Sequence, residues 1–424
     1  MSTKRAKGAK GAKRAPAQRD YDVVLYGASG FVGRQTVAYF AQHATGLRWA
    51  LGGRSAAKLE AVRESCGAGA AAAGIVVADA VDASALAALA AQARVVLSSA
   101  GPFALYGSAL VAACVQQRTH YVDITGETPW VRGLIDRHHV QAAQEGTRII
   151  PCCGFDSVPS DLGTWLVAAA MLQQHGERCS SVKACFSMRG GLNGGTLASL
   201  LNVIDSGQSK LVADPFLLNP AGARPHSAAG QADPVAPHRD ADFDAWVGPF
   251  VMGPINTRVV RRSAALLSGG SDAAYATDFS YQEYLRFGRG SVAALAAAGM
   301  SVGAMVGQAA LRFGPNRRIL RALAPGPGEG PSEQTMDRGS FRCELIGRSA
   351  GGHVVRGRLS GAGDPGNRAT TKFVCEAALA LVCPPDELPG GRAAGGVLTP
   401  ATGLGTVLAR RLAAAGMTLE PMLA

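Results

Sequence analysis

Asp22-Val-Val-Leu-Tyr26-Gly27-Ala-Ser-Gly30-Phe-Val-Gly33 decides the fold. An apolar run ends in three glycines, each separated by two residues, and a helix-like stretch follows. This is the strand, glycine turn and helix of a unit that holds a dinucleotide pyrophosphate. Glycine lets the chain turn tightly, brings backbone N–H groups against the phosphates, and lets the helix pack on the strand with its positive end facing the anion. The glycine spacing alone is a weak signal, and its place between strand and helix gives it weight. Gly27, Ser29, Gly30, Phe31, Val32 and Gly33 are therefore expected to line the pyrophosphate.

The next strand, Arg48-Trp-Ala-Leu51, runs into Gly52-Gly53-Arg54-Ser55, where a residue reading the adenosine ribose belongs. An acid there would accept from a free 2′-hydroxyl. Arg54 with Ser55, and Lys58 a turn later, instead suits a 2′-phosphate through charge-assisted bonds, so the expected cofactor is NADP(H). A third strand, Ile75-Val-Val-Ala78, ends in Asp79, which reads either as an adenine-side residue or as a local turn former ahead of Asp82-Ala-Ser84.

Strand-like segments begin near Asp22, Arg48, Ile75, Arg94, His120 and Thr147, with helical crossovers between them. The expected fold is α/β: a Rossmann-type doubly wound parallel sheet with a second, mixed α/β domain. In such a sheet the carboxyl ends of the strands line the ligand crevice. Ser99-Ala100-Gly101-Pro102-Phe103, after the fourth strand, should border the nicotinamide. The fifth strand, His120-Tyr-Val-Asp-Ile124, ends in Thr125-Gly126-Glu127, and the sixth in Cys153-Gly-Phe-Asp156-Ser157. His120, Tyr121, Asp123 and Asp156 are the catalytic candidates by position, with helix capping and loop bracing as the competing roles for Asp123, Asp156 and Glu127.

A chain of 424 residues that is 47% hydrophobic exceeds one core and is not disordered as a whole. Its nine cysteines are odd in number and form no CxxC pair, which fits a reduced interior without a disulfide framework or a metal site. Adjacent Cys152 and Cys153 point to opposite faces of a strand as small core fillers. Of the net charge of +11, Lys4, Arg5, Lys7, Lys10, Lys13, Arg14 and Arg19 supply seven, all in a leader that has neither acids nor apolar periodicity. Residues 1–19 thus read as a disordered basic leader, and no later segment interleaves aromatics with cations as a nucleic-acid surface would. Ser291 to Leu311 is long, uncharged and rich in Ala and Gly, and arginines 312, 317, 318 and 321 follow. A buried or surface-lying helix is the first reading, and peripheral contact with anionic headgroups at the inner face of the plasma membrane is the second.

The organisation expected is a Rossmann domain over 20–155, a substrate or dimerisation domain over 156–368, and C-terminal helices over 369–424. In the second domain Ser181 to Phe186, Tyr275 to Phe287, Phe341 to Ile346 and His353 to Leu359 favour strands, in places with the alternation of an antiparallel sheet wet on one face. Such a sheet would close a substrate cleft or build a homodimer. Gly190-Gly-Leu-Asn-Gly-Gly195-Thr196 reads as further backbone donors at the crevice or as a hairpin, and 205–245 as a Pro-, Ala- and Gly-rich loop.

With these motifs in place the chain resembles the saccharopine dehydrogenase-like oxidoreductases, in the branch of the trans-acting enoyl reductases. The likeness covers nearly everything after Asp20. It rests on the glycine turn, Gly53-Arg54-Ser55, Ala100 to Phe103, Tyr121 to Glu127, Cys153 to Asp161, Asn256 to Ser263, Pro325 to Glu333, Gly363-Asp-Pro-Gly366 and Gly395 to Pro400. Asn367 stands where the branch carries an aromatic. The resemblance implies a C-terminal stretch that returns to the first domain, and reduction of an enoyl double bond on a lipid or polyketide-type acyl chain carried by a partner synthase. The residues alone reach only NADPH-linked hydride transfer by a cytoplasmic enzyme. No Tyr-x-x-x-Lys occurs, so a short-chain-dehydrogenase relay is not expected, and backbone N–H groups near Gly101 are the alternative donors. Two rival readings stand: an amino-acid reductase using Arg258, Arg261 and Arg262 against substrate carboxylates, and a non-catalytic NADP(H)-binding, lipid-associated scaffold.

Overall fold

A computed structural model describes residues 19–190, 209–227, 230–269, 273–311, 313–316 and 330–423. Residues 1–18, most of the 190–196 glycine stretch and the arginines after residue 311 lie outside this set. The first sheet holds β1 (Tyr21–Tyr26), β2 (Trp49–Gly53), β3 (Gly74–Val77), β4 (Ala93–Ser98), β5 (His120–Asp123), β6 (Arg148–Ile150) and the late strand β13 (Gly396–Val397). All pairs are parallel and the order is β3-β2-β1-β4-β5-β6-β13, so the strand order reverses between β1 and β4.

The expected strand starts fall within one or two residues of the observed ones. Strands in a sheet covered on both faces are near-continuous apolar runs, and such runs announce themselves in sequence. Val23 and Leu25 face helices α1 (Phe31–His43) and, from the far end of the chain, the helix Thr370–Val382. Val24 and Tyr26 face the opposite layer, α3 (Ala83–Gln92), α4 (Ser108–Gln117) and α5 (Thr128–Glu145), while α2 (Ala56–Ser65) links β2 to β3. Cys152 and Cys153 are both buried and fall in separate core clusters.

The second sheet holds β7 (Cys179–Arg189), β8 (His238–Asp240), β9 (Ala245–Pro249), β10 (Tyr275–Gly288), β11 (Ser340–Ser349), β12 (Val354–Ala362) and β14 (Thr418–Glu420), in the order β14-β12-β11-β7-β10-β9-β8. It departs from a purely antiparallel sheet at β7–β10, which pair in parallel. The long connection between them, including α7 (Gly253–Leu267), supplies the crossover that parallel pairing requires. Along β11, Phe341, Cys343 and Leu345 are buried while Arg342 is exposed, the wet-face alternation expected.

Helix α6 (Val158–His175) leaves the crevice edge of β6 and packs Leu162, Leu166 and Val167 into the core shared with the second sheet. The uncharged run forms α8 (Gly290–Ala310), which lies on the surface rather than in the core. Helices α9 (Thr370–Val382) and α10 (Pro400–Ala414) close the molecule, α9 packing on α1 and on α10.

Candidate active site at the carboxyl edge of the parallel sheet

The turn after β1 is shaped for close backbone approach. Gly27 has φ +84°, and a Cβ there would stand 2.9 Å from the Ala100 nitrogen. A Cβ on Gly33 would stand 2.1 Å from the Gly27 carbonyl oxygen. The Gly30 N–H donates to that same carbonyl at 2.9 Å. Helix α1 then starts with no side-chain cap and no acid in its first turn. Neighbouring helices are capped: Ser55 accepts from the Lys58 N–H at 3.4 Å, and Asp82 from Ser84 and Ala85, each at 3.0 Å. The amides of Phe31, Val32 and Gly33 are thus left without a side-chain acceptor at the point where the strand order reverses, a donor set that fits an anionic pyrophosphate. Ser29 turns its carbonyl to Arg34 Nη1 at 3.2 Å, and Gly330 approaches the Phe31 ring so closely that a Cβ would lie 2.5 Å away.

At the end of β2, Arg54 and Lys58 are exposed, and Arg54 makes no hydrogen bond or ion pair to a described residue. Arg54 and Asp79 both act on Tyr26, whose phenol is pushed up to about 12 by burial and by Asp79, with Arg54 opposing. Asp79 Oδ1 accepts from the Val81 N–H at 3.1 Å, a local turn that engages one of its two oxygens. At this rim Arg54 is therefore a cation without a hydrogen-bond or ion-pair partner among the described residues.

The loop after β4 is stitched to the glycine turn. Ser99 donates its backbone N–H to Tyr26 O at 2.9 Å, and its hydroxyl lies 3.3 Å from the carbonyls of Tyr26 and Gly27. Ala100 contacts Gly27, while the Gly101 N–H is spent on Ser99 O at 3.2 Å and so is not a free oxyanion donor. Pro102 leads into a short turn that buries Phe103 beside Trp130, ring centroids 5.7 Å apart. Glu127 braces that turn, accepting from the Phe103 N–H at 2.8 Å and the Ala104 N–H at 3.0 Å.

The four catalytic candidates do not converge. His120 opens β5, at the edge remote from the crevice, roughly 10 Å of strand from Asp123. Its Nδ1 accepts from the Arg148 N–H at 3.0 Å, and burial together with Arg148, Arg94 and Arg19 holds it down to about 4, a neutral structural ring. Tyr121 is fully buried and donates to Asp123 Oδ2 at 2.9 Å. The same carboxyl takes the N–H groups of Thr125 and Cys152, each at 3.0 Å, tying β5 to the start of the next crevice loop. Burial pushes Asp123 up to about 7 against the pull of these three bonds.

Asp156 is different. It sits partly buried just ahead of α6 and makes no hydrogen bond or ion pair to a described residue. Burial of its carboxyl pushes it up to about 6. Its Oδ2 lies 3.8 Å from where a Cβ on Gly126 would stand, and the Ile255 side chain reaches within 2.9 Å of that same point. Asp156, Gly126 and Ile255 form one corner of the crevice, a carboxyl beside an apolar wall.

Behind this corner lies a network that sequence reasoning missed. Glu283, on the buried face of β10, accepts from Ser160 Oγ at 2.7 Å, Tyr281 Oη at 2.8 Å and Asn256 Nδ2 at 2.8 Å. Asn256 in turn faces Ser157, whose hydroxyl lies 3.4 Å from Asn256 Oδ1. Burial raises Glu283 to about 8. Asp161, in the first turn of α6, accepts from Ser263 Oγ and from the Ala401 N–H at 2.8 Å, and burial raises it to about 7. A carboxyl at Glu283, two residues from buried Tyr281 on one strand face, was the only signal available.

Arg258, Arg261 and Arg262 are not presented to a substrate. All three are at most 2% exposed. Arg258 pairs with Asp233 and donates to Val212 O at 2.8 Å; Arg261 donates to Pro215 O and Tyr281 O, each at 3.1 Å; Arg262 donates to Leu218 O and to Val397 O. Irregular backbone over 212–219 has no ladder to satisfy its carbonyls, and these guanidinium groups do so.

The family described as the saccharopine dehydrogenase NADP binding domain matches residues 23–150. A Mycobacterium tuberculosis protein provisionally named a trans-acting enoyl reductase is 40% identical over 419 residues, 95% of this chain and 97% of its own length. The trans-acting enoyl reductase of Mycobacterium bovis is 37% identical over 422 residues, 96% of this chain and 98% of its own. The solved apo saccharopine dehydrogenase (L-Glu forming) of Saccharomyces cerevisiae aligns with a TM-score of 0.48 and 13% identity, over 94% of this chain and 99% of that one. The chain belongs to the saccharopine dehydrogenase-like family, in the branch of the trans-acting enoyl reductases, and is an NADP(H)-dependent oxidoreductase.

Proposed function

We propose that this protein is a cytoplasmic enoyl reductase that uses NADPH to saturate the α,β double bond of a thioester-bound acyl chain of lipid or polyketide type, presented by a partner synthase. The observation that carries the reading is Asp156: of the four acid–base candidates it alone reaches the crevice unengaged by described residues, with a carboxyl raised to about 6 beside the Ile255 wall. The names of the relatives support the reaction class.

When bound, NADPH supplies the hydride that adds to the β-carbon. The first-turn amides of α1 would hold the pyrophosphate, and Arg54, Ser55 and Lys58 would hold the 2′-phosphate. Asp156 gives its proton to the α-carbon, so that one hydride and one proton saturate the bond, and the carboxylate left behind is reprotonated from water. With a pKa of about 6, roughly one-tenth of Asp156 is protonated at neutral pH, enough for a general acid and far more than an unperturbed Asp would offer. The amino-acid reductase reading loses its cations, because the three arginines that would meet substrate carboxylates are consumed by the protein's own carbonyls and Asp233.

The test is NADPH consumption with α,β-unsaturated acyl thioesters, free and carrier-bound, and with α-oxo acids plus amines. Saturated thioester should form, and Asp156→Asn should lower kcat by tenfold or more while NADPH binding holds. Consumption with the oxo acids alone would establish the amino-acid reductase instead, no turnover with any acceptor would favour the scaffold, and an undiminished Asp156→Asn would remove the acid.

A further inference from the structure

We infer that Glu283 is a positioning residue for the crevice acid: it staples the first turns of α6 and α7 together and so holds Asp156 against the Ile255 wall. The inference rests on the reading of Asp156 as the proton donor. Asp156 stands two residues ahead of α6, and Ile255 belongs to the first turn of α7. Neither helix start has a side-chain cap. One carboxyl joins them instead. Glu283 Oε2 meets Ser160 Oγ, in the first turn of α6, at 2.7 Å, and Glu283 Oε1 takes the side-chain amide of Asn256, the residue after Ile255, at 2.8 Å. Asn256 then turns its Oδ1 to the hydroxyl of Ser157 at 3.4 Å, and Ser157 directly follows Asp156. Both arms of the staple thus end beside the acid and its wall.

Burial makes this staple firm. Glu283, Ser160, Asn256 and Ser157 are each at most 1% exposed, and Tyr281 Oη braces Glu283 Oε2 at 2.8 Å. Hydrogen bonds shielded from water in this way hold their geometry closely. The rest of the α6–α7 contact does not depend on them: Asp161 accepts from Ser263 Oγ further along α7, and Leu162, Val260 and Ala264 lie in the common core. Loss of the staple should therefore loosen the crevice end while the fold stands. Asp156 reports the loosening, because burial is what raises its carboxyl. The ionisable groups facing Glu283 are Tyr281 of its own strand, Cys343 of β11, Asp233, and Arg261 of α7, and the buried thiol of Cys152 faces Asp156. Glu283 itself, raised to about 8 by burial, is largely uncharged at neutral pH. Glutamine reproduces that state: its oxygen can accept from Asn256 while its amide donates to the oxygens of Ser160 and Tyr281. Leucine fills the same space and severs both arms.

The test is carbon-13 NMR of the full chain labelled at its aspartate carboxyls, with the Asp156 signal identified by its loss in Asp156→Asn, so that its titration is followed without turnover. Wild type should titrate near 6, and Glu283→Gln should stay there. Glu283→Leu should fall by about one unit toward the ordinary aspartate value as water reaches the carboxyl. Fewer Asp156 carboxyls then hold a proton, so kcat of Glu283→Leu should be about tenfold below wild type at neutral pH and within about twofold of it at pH 5. Should Glu283→Leu not fold, Asn256→Leu, which cuts the α7 arm alone, carries the same expectation. An unmoved Asp156 midpoint in the leucine variant overturns the inference. So does an equal fall in Glu283→Gln, which would assign the effect to the carboxyl rather than to the staple. A midpoint that falls while Asp156→Asn turns over at the wild-type rate supports the staple and removes Asp156 as the acid.

Discussion

Truncating Arg54 to alanine removes, in the proposed function, one of the groups that would meet the 2′-phosphate by which NADPH differs from NADH. The side chain is exposed and bonds to no described residue, so its removal leaves no broken pair and no cavity, and stability should stay within about 0.5 kcal/mol of wild type. All of the effect then falls on the ligand. A hydrogen bond between a charged donor and acceptor contributes about 1.5–3 kcal/mol. The site is open to water, which favours the low end, and Lys58 stays in place as a second cation. Converted at about 1.4 kcal/mol per tenfold, the expected loss in NADPH affinity is about 10- to 100-fold. NADH lacks the phosphate and should bind the variant within about twofold of wild type, so the ratio of the two affinities collapses toward one.

Fluorescence titration of both cofactors into wild type and variant measures this, and repeating it at higher salt adds a second reading. The wild-type preference for NADPH should shrink as salt screens the exposed pair, and the variant's residual preference should depend on salt less. An unchanged ratio would refute the reasoning, as would equal weakening of both cofactors, which would mean that the substitution had disturbed the α2 cap at Ser55 rather than a phosphate contact.

Three further outcomes follow from single residues. Gly33→Ala places a methyl 2.1 Å from the Gly27 oxygen and should abolish measurable NADPH binding in a titration while circular dichroism still reports a folded chain, because only the turn must open. Asp161 has a folded pKa of about 7 against 3.8 for a free side chain, so the folded state retains its proton longer; this stabilisation is full below about pH 4 and is lost as pH rises through about 7, and Asp161→Asn should flatten the fall in Tm over that window. Arg262→Leu strands the carbonyls of Leu218 and Val397 and should cost about 3 kcal/mol in denaturant unfolding, with KM for the acyl substrate unchanged in the fraction that remains folded.

How far the sequence could be read followed from where each signal was local. Strands β1 to β6 were visible because an apolar run and its turn occupy neighbouring residues. Strand β13 was not: Gly396–Val397 is a strand only because the Gly396 N–H reaches Thr147 O at 2.8 Å, across a sheet edge built more than two hundred residues earlier. His120 was chosen by residue type on the right strand but at its wrong end, since a parallel sheet delivers only carboxyl termini to the crevice. Asp156, at a carboxyl end, survives that rule. Glu283 finds Ser160, 123 residues away, and no spacing in the chain announces such a pairing. The arginines of α7 read as free cations because sequence shows their charge but not the loop carbonyls that consume it.

The same long-range contacts explain why the dinucleotide half depends on the end of the chain. Arg148 of β6 is buried and donates to Gly403 O at 2.8 Å, Pro389 O at 2.8 Å and Gly391 O at 2.7 Å, all in the C-terminal stretch that also adds β13 to the sheet. Helix α9 covers the face of β1 and β4 that carries Val23, Leu25, Val95 and Leu97, and its Glu376 accepts from Tyr39 Oη of α1 at 2.5 Å. Arg368, just ahead of α9, reaches Gln35 of α1 at 3.2 Å. Helix α1, whose first turn has no side-chain cap, is thus positioned on one side by the strand before it and on the other by α9. The GDPG turn serves the same end from the second sheet: Asp364 accepts from the Arg368 N–H at 3.0 Å and from Asn367 Nδ2 at 2.5 Å, which gives Asn367 a bracing role where relatives of this branch were expected to carry an aromatic. Thr370, the first residue of α9, accepts from the Phe155 N–H at 3.1 Å, so the segment that packs on α1 also fixes the backbone next to Asp156.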